Sequence, residues 1–146
     1  MNTLQRYLEV IVDPTWDDFH ANSFSVRHAF LACVAIYHAV DRLAEAEGKP
    51  PAHFRQVWGD ESTDFRIVDV LAHHFKHVKS GPERVPWEHV QIPIEHAFGF
   101  NEAGDEMDLR NLYFVIRDAV RFVHRKAGTE HPKLPDPRKN ARAQPY

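Results

Sequence analysis

The chain has 146 residues, 43% of them hydrophobic and 27% charged, which suits one globular domain able to bury a core without staples. Its formal net charge of −3 argues against bulk electrostatic binding of nucleic acid, and its one cysteine, Cys33, excludes an intramolecular disulfide. No apolar run reaches the ~20 residues of a membrane span, and the opening MNTLQRYLEV lacks the apolar centre of a signal peptide; the expectation is a cytoplasmic protein of bacterial style.

Residues 3–12 suit a short helix with Leu4, Tyr7, Leu8 and Ile11 on one side. Asp13-Pro14 restarts it, Asp13 as a cap and Pro14 preset for a first helical turn. A long helix is expected over about 24–47, with Ser23 as N-cap and Gly48 beyond its end. Its middle, HAFLACVAIYHAV, is apolar nearly all round, the mark of a central helix, and Cys33 within it reads as a small core residue. Lys49-Pro50-Pro51 breaks the chain before a short helix over about 51–58. Ser62 then caps a helix whose body runs from Phe65 to Val78. On a helical projection Ile67, Val68, Leu71, Phe75 and Val78 share one half, and Arg66, Asp69, His73, Lys76 and His77 share the other.

Farther on, Val90, Ile92 and Ile94 alternate with Gln91, Pro93 and Glu95, the pattern of an extended loop or short hairpin near 85–104. A last helix over about 107–126 buries Leu109, Leu112, Ile116, Ala119, Val120 and Val123, and Gly128 ends it. Residues 129–146 hold four prolines and little apolar content; the ordering entropy has little burial to offset it, so an extended or disordered basic tail is expected. The fold class is all-α: an up-and-down helical bundle over 1–128 with one irregular insertion.

The 11 histidines focus the search for chemistry. Arg66, Asp69, His73 and His77 follow one another at offsets of 3, 4 and 4 along one helical stripe. Asp69 can fix the tautomer of His73, and Arg66 adds a permanent cation one turn away. An arginine beside a histidine suits RNA cleavage: the imidazole moves a ribose proton and the guanidinium steadies the crowded phosphorane. The bland alternative is a solvated face with incidental i,i+4 pairs.

His73 and His77 are also spaced to share a metal ion, and His38, which has Asp41 one turn on, would be the third ligand from the central helix. Such a set would take Zn²⁺, Ni²⁺ or Fe²⁺ and activate water. A third cluster, Arg110, Arg117, Arg121, His124, Arg125 and Lys126, joins the tail's Lys133, Arg138, Lys139 and Arg142 as the most basic region. It could supply phosphate contacts, or only complement a helix C-terminus. His20, His28, His53, His89, His96 and His131 show no interpretable spacing.

The stretch DFRIVDVLAHHFKHVK, with YHAVDRLAE upstream, resembles the signature helices of small bacterial all-α proteins related to the HEPN superfamily, over residues 24–80. The matching positions are Arg66, Asp69 and Lys76-His77, with His38 and Asp41 from the upstream stretch. HEPN ribonucleases place a histidine four to six residues after an arginine, and six residues separate Arg66 from His73. The resemblance implies a homodimer whose paired motifs meet at an RNA-cleaving cleft without a metal. The residue after the arginine, commonly polar in active members, is Ile67 here, which leaves a catalytically silent relative open. Beside that reading stand a non-enzymatic binding or scaffold module and a metal-dependent bundle enzyme resembling the three-histidine DinB-like proteins.

Overall fold

A computed structural model describes residues 2–77 and 109–139, with the side chains of 74–77 and 109–111 left out. The expected insertion near 85–104 lies outside these residues, as does 140–146. Among the described residues the protein is an all-α helical bundle, and none of its helices is long and apolar enough to cross a membrane.

The chain enters at α1 (Thr3–Tyr7), passes through a π-helical turn (Leu8–Val12) and continues directly as α2 (Asp13–Ala21). Asn2 and Gln5 form a reciprocal capping box at its start. The expected restart at Asp13-Pro14 does not occur. Pro14 has no N–H and its ring crowds the carbonyl four residues back; the wider π turn just before it relieves that clash without ending the helix. The Thr15 hydroxyl donates to the Ile11 carbonyl at 2.6 Å in the same stretch.

The central helix also departs from expectation. Ser25, rather than Ser23, is the N-cap: its Oγ accepts from the His28 N–H. Helix α3 (Val26–Tyr37) and α4 (Ala39–Glu47) are separated by a one-residue step at His38, where the Asp41 N–H bonds to the His38 carbonyl three residues back. Gly48 closes α4 in the left-handed region at φ 66°, a conformation that glycine adopts without a Cβ penalty. Helix α5 (Pro51–Glu61) runs three residues past its expected end, and Ser62 caps α6 (Thr63–His77) by accepting from the Phe65 N–H at 3.1 Å. Helix α7 spans Leu109–Ala127, and residues 137–139 are again helical.

Helix α3 packs against α2, α6 and α7, while α6 is held by α3, α5 and α7. The core joins Leu8, Val12, Trp16 and Phe19 of the first helix to Ala29, Cys33 and Ile36 of α3, and to Val68, Leu71, Ile116 and Val120 of α6 and α7. Cys33 is fully buried, and burial pushes its thiol pKa up. Trp58, Phe65 and Phe122 form an aromatic cluster where α5, α6 and α7 meet, with centroids 5.3 to 5.8 Å apart. Tyr7 reaches from α1 to donate its hydroxyl to the Ala35 carbonyl at 2.6 Å.

Residues 129–139 do not form the extended tail that their composition implies. They fold back: His131 and Asp136 are buried, and Leu134 packs on the core. What orders the segment is polar pairing, which a count of apolar residues does not capture.

Candidate functional site

Helix α6 carries the stripe singled out in the sequence. Arg66, Asp69 and His73 are all half-buried, neither sealed in the core nor standing on open surface. Val70, about 40° round the axis from Arg66 at 100° per residue, is buried, so protein covers the flank of the stripe. Asp69 and His73 are each engaged with neighbours. The aliphatic part of Arg66 lies over Gly59 of α5, its Cβ and Cγ 3.7 and 3.8 Å from where a glycine Cβ would stand. Its Nε is buried without a hydrogen bond, and among the described residues its guanidinium makes no ion pair. The His77 backbone ends α6, and its side chain is outside the description.

His38 has the partner that its sequence context demands, but not a core position. Its side chain is 51% exposed at the step between α3 and α4, with Nδ1 2.8 Å from Asp41 Oδ2. Asp41 also accepts from Arg55 at 3.0 Å, and the Arg55 guanidinium lies over the Tyr37 ring at 4.4 Å. This network occupies His38 locally. Among the described residues no three His, Cys, Asp or Glu side chains are grouped to hold a metal ion.

The basic cluster on α7 resolves into separate pairs. Arg117 and Arg121 both contact Asp118, at 3.1 and 3.0 Å, and Lys126 pairs with Glu61 of α5. Burial and the nearby Asp118 raise the Asp64 pKa, against the lowering effect of Arg117 and Arg125.

A polar seam joins α2, the end of α7 and the tail, and the sequence showed little sign of it. His124 is buried, with Nε2 2.6 Å from Asp13 Oδ1 and Nδ1 2.8 Å from the Thr129 hydroxyl. In a neutral ring the carboxylate accepts from Nε2–H, which leaves Nδ1 to accept from the Thr129 hydroxyl. His131, only 2% exposed, lies with Nε2 3.1 Å from Asp17 Oδ1 and accepts the Lys133 N–H on Nδ1 at 3.0 Å. Asp13 and Asp17 are one turn apart on α2, and that i,i+4 pair of carboxylates was the available signal. Which histidines would meet them depended on a tail that composition had assigned to solvent.

No family model, curated protein or solved structure matches this chain.

Proposed function

We propose that this chain is a small RNA-acting helical protein of the HEPN-like kind, an endoribonuclease that needs no metal and works as a homodimer. Arg66 supports the reading most directly: a half-buried guanidinium, backed by packing on Gly59 and with no counterion among the described residues, favours an external anion such as a phosphodiester. His73 and Asp69 lie on the same stripe, within the partial burial expected of residues at the edge of a cleft.

In the proposed reaction His73 takes the proton of the ribose 2′-hydroxyl as O2′ bonds to phosphorus. Asp69 orients the imidazole, and Arg66 steadies the phosphorane oxygens. The P–O5′ bond breaks, and O5′ takes a proton from the protonated histidine of the second copy, leaving a 2′,3′-cyclic phosphate and a 5′-hydroxyl. Lys76 and His77, at the end of the same helix, play a supporting part.

The test is incubation of the purified protein with a single-stranded RNA in the presence of a chelator. The expected products are cyclic-phosphate ends, which are lost in His73→Ala. RNA left intact by the dimer overturns the reading. A second reading, a binding module without chemistry, is favoured by Phe24 and Phe114, which are 70% and 50% exposed. It predicts that a co-purifying partner binds wild type and the Arg66→Ala and His73→Ala variants alike.

A further inference from the structure

Where the end of α7 meets the folded-back tail, the surface opens into a cleft of about 400 Å³ lined by Arg125, Gly128, Thr129, Asp136, Arg138 and Lys139. We propose that this cleft binds a phosphate-bearing small molecule, with Arg125, Arg138 and Lys139 taking its anionic oxygens. None of these lining residues belongs to the stripe on α6.

Charge balance is the first argument. Three cations line the cleft against one carboxylate, and that carboxylate is already engaged. Asp136 Oδ1 accepts the Arg138 backbone N–H at 3.0 Å and lies 3.6 Å from Arg125 Nη1. At 3.6 Å there is attraction but no hydrogen bond, so the donors of Arg125 are not taken up by Asp136. The Arg138 guanidinium makes no ion pair among the described residues. Lys139 pairs with Glu130 at the surface, an exposed contact of the kind that contributes little and yields readily. The contrast with Arg117, Arg121 and Lys126 is direct, since each of those sits on a carboxylate at close range.

Rigidity is the second argument. The cleft wall at Thr129 is fixed twice, by its hydroxyl on His124, itself on Asp13, and by its N–H on the His124 carbonyl at 3.0 Å. Gly128 makes the reversal at φ 71°. The opposite wall is fixed by the buried Asp136. Cations on a frame already ordered before binding lose less entropy on taking a ligand than cations on a mobile tail. The size of the cleft suits a small molecule and is too small for a helix or a duplex.

The test uses the full chain and isothermal titration with two probes, inorganic pyrophosphate and adenosine monophosphate, near 0.15 M ionic strength so that diffuse attraction is screened. Both are expected to bind. In Arg138→Gln/Lys139→Gln affinity should fall by about tenfold or more, with the thermal midpoint unchanged because both side chains are exposed. Lys133→Gln removes a charge from the same tail outside the cleft and should stay within about twofold of wild type. A lipid headgroup has the same chemistry, so vesicles of phosphatidylcholine with phosphatidic acid form a parallel arm and should not sediment the protein. The proposal is overturned if neither probe binds, if the double variant binds as wild type does, or if Lys133→Gln weakens binding equally. Binding to vesicles but not to pyrophosphate overturns it too. RNA cleavage should be unchanged in the double variant, so the two proposals fail separately.

Discussion

The polar seam and the α6 stripe both place histidines beside carboxylates, yet they use them differently. In the seam, His124 and His131 are buried; both His124 nitrogens are hydrogen-bonded, His131 accepts on Nδ1 and has Nε2 3.1 Å from Asp17 outside hydrogen-bond geometry, and the result is a tail tied to α2. On α6, Asp69 and His73 stay half-buried beside an arginine whose charge is unmatched among the described residues. A histidine hydrogen-bonded on both nitrogens in the interior, as His124 is, serves the fold; the half-buried His73 lies at the edge of a covered flank. The number of histidines therefore says little, and burial with partner geometry says much.

The largest stability effect should come from His124→Ala. It strands the Asp13 carboxylate, whose side chain is 14% exposed, and releases Thr129. Removing one member of a buried pair costs about 3–5 kcal/mol, a large share of the ~5–15 kcal/mol that holds a domain together. Thermal melting would read this as a drop of roughly 6–20 °C; a midpoint within a degree or two of wild type would mean that the seam is ornamental. His131→Ala should cost less, about 1–2 kcal/mol, because its hydrogen bond is the one from the Lys133 N–H and Asp17 is 41% exposed, so water can solvate its carboxylate.

Tyr7→Phe should cost about 1 kcal/mol through the lost bond to the Ala35 carbonyl. Burial also lifts the Tyr7 pKa from 10.0 to about 12, more than Arg42 lowers it. Folding therefore favours the neutral phenol. That contribution is fully present below pH 10 and is lost as pH rises toward 12, so alkaline denaturation should be shallower over that window in Tyr7→Phe. The smallest stability effect should be His73→Ala, under about 1 kcal/mol for a half-buried side chain, even though it should abolish RNA cleavage. If His73→Ala destabilised the fold as much as His124→Ala does, the contrast between the two regions would disappear.

How far each region was legible follows from the physics that forms it. Helix α6 was readable because a 3.6-residue period, the Ser62 cap and its apolar half all point to the same structure. Gly48 and Gly128 were readable as stops, since left-handed backbone favours glycine. Pro14 misled because a lone proline signals a break, and only the π turn before it lets the helix continue. Ser23 and Ser25 offer equal capping chemistry two residues apart, so local pattern does not choose between them. The tail was missed because its order comes from two histidine–aspartate pairs whose members lie 111 and 114 positions apart, a separation that local pattern cannot bridge. The stripe on α6 was visible as a stripe; the burial of Val70 beside it and the packing of Arg66 over Gly59 needed the neighbouring helices.

Cys33 sits at the centre of α3, sealed among side chains from α2, α6 and α7, with burial holding its thiol protonated. An alkylating reagent in solution meets that sulfur only when the whole bundle comes apart, so the speed of its modification is a clock for global opening. The same seclusion keeps the protein from cross-linking to itself in air.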